Sequence, residues 1–479
     1  MVFSSAIFLY FFLPSVFLLS RLVPSQKGKN FLLALFSIVF YAFGQLQYVP
    51  VFLCSILINY CSGLLLMKEA EEKRRKLFLS ISVVLNLAIL SVFKYTDFVI
   101  ANLNSWFSLS LPFSGLDLPA VGISFFTFQG MSYTIDVYRD PKTGTKDFIK
   151  LLLYISFFPQ LIAGPIVKYH DIAEQIDHRV CTAEETEYGI KRFIVGLAKK
   201  VILANAVGYI ADQVFNVILP GDMHDWRVMW LGGICYTLQI YYDFSGYSDM
   251  AIGMGRMFGF RFRENFDHPY GSSSLREFWR KWHISLSSWF KEYLYIPLGG
   301  NRKGAVRKAI NKLIVFFCTG IWHGANWTFV FWGLGHGILS SLEDLGILPI
   351  HKLEKSPVGK LFAKLYTLLA VMLLFVVFRA SSIGEAFSFI GYMFTGASSA
   401  EGSYLLTTLL PPATVLMLLI AILMAGNLPA RLHLEKLLDG ESMKPMAHIL
   451  CLGGFLVLYI LCGMDLARGG FNPFIYFQF

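Results

Sequence analysis

The sequence predicts an all-α polytopic membrane protein, with about ten to twelve transmembrane or re-entrant helices. Three observations predict it. The composition is 55% hydrophobic and 15% charged, against about 25% charged in soluble domains. Apolar stretches approaching the ~20 residues that cross hydrocarbon as a helix recur along the chain. Lysine and arginine concentrate in alternate connections between those stretches. A 479-residue chain of this composition could not cover its surface in water, which excludes disorder and an ordinary soluble enzyme. The basic excess, 41 Lys and Arg against 32 Asp and Glu, fits cations held at a cytosolic face near anionic headgroups. Membrane lipids are therefore expected partners, and nucleic acid is not. The seven cysteines include no CxxC pair, so neither a disulfide framework nor a metal site is expected.

Residues 6–19 with their flanks form the first apolar run. No basic stretch or small-residue cleavage site precedes Arg21, so a retained helix is expected. Runs 31–48, 51–67 and 77–93 follow. Segment 118–131 is broken by Gly122 and Gly130 and reads as a bent or re-entrant helix. Segment 149–167 contains Pro159, Gly164 and Pro165. Such breakers are tolerated at membrane depth only where protein or a wet cavity satisfies the freed backbone, and a cavity is expected there. Segment 190–219 is long and amphipathic, with Lys191, Arg192, Lys199 and Lys200; 228–244 is the next span. Segment 276–298 is too charged to cross lipid plainly and reads as interfacial, with Trp279, Trp282 and Trp289 at headgroup level. Runs 313–322, 329–345, 361–378, 405–424 and 448–464 complete the set.

Cationic clusters lie at Arg21–Lys29, Lys68–Lys76, Arg139–Lys150, Arg302–Lys312, Lys352–Lys364 and Arg431–Lys444, whereas 44–50, 101–119 and 381–403 contain no Lys or Arg. The positive-inside rule then places the clusters in the cytosol and both termini outside. One membrane domain spanning 1–479 is expected, most motif-rich at 240–340, with an aromatic tail at 466–479.

Two stretches are dense in groups that lipid would not tolerate. The first is Gly320-Ile-Trp-His323-Gly-Ala-Asn326-Trp327, continuing to His336. His323 lies about 16 Å above Lys312 along a helix, near mid-membrane. An ionisable residue there is a functional candidate by default; a structural histidine bonded between helices is the plainer alternative. His336 reads more simply as part of small-residue helix packing. The second stretch is Phe278-Trp279-Arg280-Lys281-Trp282-His283, running into Tyr293–Gly304 with Arg302 and Lys303. Its cations suit phosphates and its aromatic rings suit stacking, as for a nucleotide-bearing donor. An interfacial anchor helix with a polybasic loop would look similar. Asp243 and Asp249 follow an apolar span and would line a tunnel or cap the next helix.

Taken in order, 243–249, 264–270, 278–283, 293–304 and 320–327 resemble the membrane-bound O-acyltransferase superfamily, in particular its bacterial alginate O-acetyltransferase type. Gly164-Pro165-Ile166 and the terminal Phe474–Phe479 extend the resemblance. It implies helices around a central tunnel, with His323 as the buried catalytic histidine. It also implies His283, 40 residues earlier, as the second signature position. The chemistry is coherent. A neutral hydroxyl is a poor nucleophile toward a thioester, and a positioned imidazole that takes its proton contributes about 10²–10⁴-fold. The Asn326 amide and nearby Trp indole N–H groups are oxyanion-donor candidates by proximity. The implied function is passage of an acetyl group from acetyl-CoA, or another acyl thioester, across the bacterial inner or cytoplasmic membrane to an extracellular or cell-wall polysaccharide. The implied partner is an exported esterase-like acetyltransferase; no bound cofactor is expected. D-alanyl, lipid or peptide acylation are alternatives within the superfamily. A flippase for a lipid-linked saccharide is the alternative outside it. The Phe-x-Tyr-x-x-Phe terminus resembles the tail of a small membrane partner in the D-alanylation machinery, which implies Tyr476 as a first acyl acceptor.

Overall fold

The computed structural model describes residues 1–115, 122–162, 164–219, 224–439 and 443–473. Regular structure among the described residues is helical throughout. The chain folds as two compact units, Met1–Phe193 with Ser248–Arg263, and Ile194–Tyr247 with Glu264–Phe479.

The first unit opens with a π turn at Phe8–Phe12 and α1 (Leu13–Leu22), then α2 (Gln26–Gln45), α3 (Val49–Lys68) and α4 (Glu72–Phe107). Ser25 caps α2 by accepting the Gly28 N–H at 3.1 Å. Inside this unit the apolar helices are joined by paired amides: Asn59 and Asn86 exchange bonds of 3.0 and 3.1 Å. In hydrocarbon each such group must find a protein partner. α5 (Ile123–Arg139) follows; residues 118–121 of the bent segment lie outside the described residues. The segment 149–167 is broken as expected, into α6 (Phe148–Ser156), α7 (Phe158–Leu161) and an irregular stretch. Protein groups meet the freed backbone there. Ser37 Oγ accepts the Phe158 N–H at 3.1 Å, and the Tyr154 hydroxyl donates to the Val167 carbonyl at 3.0 Å. α8 (Tyr169–Asp177) and α9 (Ala183–Ala198) lead onward.

A π turn at Lys199–Ala204 joins α9 to α10 (Asn205–Gln213), and α11 (Trp226–Met257) follows. The second unit continues with α12 (Leu275–Lys281), α13 (Ile284–Phe290), α14 (Gly304–His323), α15 (Trp327–Asp344), α16 (Ile350–Leu353), α17 (Pro357–Arg379) and α18 (Ile383–Thr395). Helices α19 (Ala400–Leu409), α20 (Pro412–Ala425), α21 (Leu428–Arg431) and α22 (Pro445–Ala467) complete it. The core of this unit packs Tyr241, Tyr270, Phe278, Trp282 and Trp332 against Phe375 and Phe378 of α17.

Five helical stretches among the described residues are long and apolar enough to cross a membrane, or six if α19 and α20, bent by 78°, form one broken span. One of them, Gln26–Lys68, runs for 43 residues, long enough for two passes at 1.5 Å per residue. α14 and α15 are not among these spans. The polar groups that make them chemically interesting also lower their hydropathy. Within 276–298, expected at headgroup level, Trp282 and Trp289 face protein and not lipid. Trp282 and Trp289 are each only 4% exposed. Trp282 is enclosed by Phe266, Phe278 and Phe375 at 5.1, 5.4 and 5.2 Å between ring centroids.

Candidate active site

His283 sits in the joint between α12 and α13. Ser274 starts α12 by accepting the Glu277 N–H at 3.2 Å. The helix stops at Trp282, whose backbone is extended. His283 then takes φ 45° and ψ 53°, a left-handed conformation uncommon for a side chain of this size. Asn265 holds it there. The Asn265 carbonyl accepts Ile284 N–H at 2.9 Å, and its side-chain Oδ1 accepts Ser285 N–H at 3.2 Å and Ser285 Oγ–H at 2.8 Å. The same Oδ1 lies 3.3 Å from His283 Nδ1. An amide oxygen only accepts, so Nδ1 carries the proton and Nε2 keeps a lone pair. Nε2 is buried and has no partner among the described residues.

His323 ends α14, and Gly324 leaves the helix in an extended conformation. Asn326 caps α15, accepting Thr328 N–H at 3.1 Å. Glycine sets the spacing of this hairpin. A Cβ on Gly320 would collide with the Phe329 carbonyl, and one on Gly333 with the Phe316 carbonyl. The two backbones therefore touch just before the histidine. His323 is half-buried, packed edge-on against Trp332 at 5.1 Å and Phe378 at 5.2 Å. Trp322 neighbours both histidines, 5.0 Å from the His323 ring and 6.1 Å from the His283 ring. Phe244 of α11 closes the other side of His283 at 4.5 Å. The structure thus brings together the two histidines that the sequence singled out.

Two further polar groups line this region. Trp332 is 1% exposed, and its indole N–H has no acceptor among the described residues. His336 Nδ1 accepts the Trp279 indole N–H at 3.3 Å, which fixes its own proton on Nε2. That Nε2–H is also buried without an acceptor among the described residues.

The remaining expected residues divide. Trp282 belongs to the core and offers no free face for stacking. Lys281 pairs with Glu277 at 2.9 Å. Arg280, Arg302 and Lys303 are exposed, but Arg302 and Lys303 precede the first residue of α14 while His323 is its last. Twenty residues at 1.5 Å each separate the two ends by about 30 Å. Arg280 lies three residues from His283. The Asn326 amide donates one of its two N–H groups to the Ser381 carbonyl at 2.9 Å, which ties the hairpin to the connection between α17 and α18. Trp327 is 45% exposed. Asp243 pairs with Lys200 at 2.7 Å, both buried. Asp249 belongs to the first unit and binds Arg192 at 2.6 Å. Tyr476 lies outside the described residues. Among the described residues no His, Cys, Asp and Glu cluster could hold a metal. Sequence reasoning missed Asn265, Lys200 and the His-facing role of Phe244. All three lie in or beside stretches already noted, but only the fold shows what they touch.

Residues 121–352 match the membrane-bound O-acyltransferase family. The chain is 37% identical to the probable alginate O-acetylase AlgI of Pseudomonas putida, over the full length of both. This chain belongs to the membrane-bound O-acyltransferase family. It is an integral-membrane O-acyltransferase. Two other relatives show the breadth of the likeness. The peptidoglycan O-acetyltransferase of Helicobacter pylori is 34% identical, over 81% of this chain and 78% of that one. The teichoic acid D-alanyltransferase of Bacillus subtilis is 28% identical, over 46% and 57%. As a membrane-bound O-acyltransferase, the chain places its histidine pair at the meeting of α11, the α12–α13 joint and the α14–α15 hairpin.

Proposed function

We propose that this acyltransferase takes an acetyl group from a cytosolic thioester, acetyl-CoA, and passes it across the bacterial cytoplasmic membrane for O-acetylation of an extracellular polysaccharide. The observation that carries the reading is that His283 and His323 both pack against Trp322. The acetyl group and polysaccharide acceptor are supported by the activities for which the alginate and peptidoglycan relatives are named. The charge asymmetry of the connections supports a cytosolic donor side with both termini outside.

In this reading His323 takes the proton of the attacking hydroxyl as its oxygen bonds to the thioester carbonyl. The Trp332 indole N–H stabilises the oxygen as it becomes negative. The C–S bond then breaks and the CoA thiolate leaves with the proton from His323. His283 presents Nε2 as a fixed acceptor toward the reacting groups. The first hydroxyl acylated is the phenol of Tyr476. A phenolate leaves an acyl carbon more readily than an alkoxide, because a phenol ionises near pH 10, so the Tyr476 ester hands its acyl group on to an exported esterase-like partner and regains the phenol. Arg280 is the cation best placed to meet the donor's phosphates.

The test uses purified protein with radiolabelled acetyl-CoA. Release of CoA and a +42 Da C-terminal peptide carrying acetyl-Tyr476 are expected, both lost in His323→Ala while abundance and folding persist. Loss of general-base catalysis costs about 10²–10⁴ in rate. Full polysaccharide acetylation by Tyr476→Phe would remove the relay. Activity only with an aminoacyl carrier protein would overturn the donor assignment.

A further inference from the structure

We infer that the buried Lys200–Asp243 pair is the mooring for the C-terminal segment beside the histidine pair, and that Lys200 is a positioning residue for acyl transfer. What the moored segment does rests on the Tyr476 reading above; the mooring rests on contacts alone.

Three successive residues of the segment are seated on one helical stretch. The Phe471 ring packs edge-on against Tyr209 at 6.0 Å. Asn472 Oδ1 accepts from Asn205 Nδ2 at 3.4 Å. The Pro473 carbonyl accepts from Lys200 Nζ. A π turn makes this alignment. The Asn205 N–H bonds to the Lys200 carbonyl, an i to i+5 closure that sets these two side chains over one another where an α-helix would splay them.

The ammonium group has a second partner. Lys200 is 1% exposed, and its Nζ lies 2.7 Å from Asp243 Oδ1. α11 comes this close because Gly246, one turn on, lies against the Gly196 carbonyl and the Lys200 amide, where a Cβ would meet them at 2.7 and 3.2 Å. A cation buried in a membrane protein is a functional candidate by default. Such a pair adds little stability over apolar residues, because desolvation offsets the attraction. It does offer N–H donors to a third group, and the Pro473 carbonyl takes one. The next residue along α11 is Phe244, whose ring stands against His283. The mooring and the histidine therefore share one turn of α11. Tyr476 follows Pro473 by three residues, which tethers its Cα within about 11 Å of that of Pro473.

The experiment measures carboxypeptidase removal of the residues after Pro473 from full-length purified protein, read by peptide mass spectrometry. Lys200→Met/Asp243→Leu replaces both charges with apolar groups, so no buried ion is left unpaired. It is expected to keep its unfolding temperature within a few degrees, lose the tail at least tenfold faster, and transfer acyl groups at least tenfold more slowly. Asn205→Ala and Tyr209→Ala, milder changes on the same face, are each expected to accelerate digestion about threefold. Digestion at the wild-type rate in the folded double variant overturns the mooring. If the double variant does not fold, wild-type digestion in both single variants overturns it. Tyr476→Phe should leave protection intact while abolishing transfer; transfer that survives there sinks the relay and leaves the mooring standing.

Discussion

Replacing Asn265 with alanine tests how His283 is set. The side-chain oxygen of Asn265 serves three donors: Ser285 N–H at 3.2 Å, Ser285 Oγ–H at 2.8 Å and His283 Nδ1–H at 3.3 Å. Removing it does not leave three orphans. The Ser285 hydroxyl rotates, and it already lies 3.4 Å from His283 Nδ1. If the imidazole moves its proton from Nδ1 to Nε2, Nδ1 accepts that hydroxyl. Only Ser285 N–H stays unsatisfied, at about 1–3 kcal/mol of stability. The price falls on chemistry, because Nε2 has changed from acceptor to donor. The reacting groups lose one acceptor and face one misplaced N–H, about 2–4 kcal/mol, or roughly 30- to 1,000-fold in kcat/KM. The variant should therefore be mildly destabilised and severely impaired. Thermal unfolding of the purified protein and acetyl-transfer rates measure the two effects. A kcat/KM within threefold of wild type, in a variant that has lost the expected stability, would refute the tautomer argument.

Trp332→Phe keeps the packing against His323 and removes the Trp332 indole donor; kcat is expected to fall about 10²–10³-fold, and an unchanged rate would strip Trp332 of the oxyanion role. Arg280→Gln should raise the donor Kd by about one to two decades, as for a lost charge-assisted hydrogen bond, while Arg302→Gln changes it less than threefold; calorimetric titration with a non-hydrolysable donor analogue separates them, and the reverse order would put the phosphates at the far end of α14. His170, on the short helix α8, donates from Nδ1 to Asp136 at 2.8 Å, and that bond raises its pKa above the ordinary 6.5 against the opposing effect of burial. The raised value makes its contribution to stability full below pH 6.5 and lost as pH rises through the folded-state pKa. The melting temperature should fall over that window in the wild type, and His170→Asn should flatten the slope; an identical slope would assign it to other groups.

The histidines were legible because lipid makes an ionisable residue conspicuous: His323 stands out from the apolar run before it. The family likeness lay in ordered short motifs that survive without any contact map. That Trp282 and Trp289 face protein was hidden in the sequence for a physical reason. An aromatic ring beside a cation has the same sequence signature at a headgroup and in a protein interior, and only packing separates the two. Lys200 looked like one cation among four on an amphipathic stretch. Its burial depends on a π turn and on Gly246 across the way, neither of which periodicity reveals. Proximity in sequence made Asn326 an oxyanion-donor candidate, but only the fold shows that one of its two amide N–H groups goes to the Ser381 carbonyl. The number of crossings stayed open because α14 and α15 are too polar to score as spans, and the break near Pro159 hides where one helix ends.

The glycine contacts of the α14–α15 hairpin bear on selectivity. Two backbones already in contact at Gly320 and Gly333 cannot be squeezed together, and parting them would give up the packing on both faces. The hairpin works as a fixed jaw. A larger acyl group gains no room from its breathing, so room must come from the side chains opposite. Phe378 of α17, 5.2 Å from the His323 ring, is a wall outside the hairpin that can be cut back without moving a backbone. Acyl size would then be set by one helix and the chemistry by another, and the two could change independently.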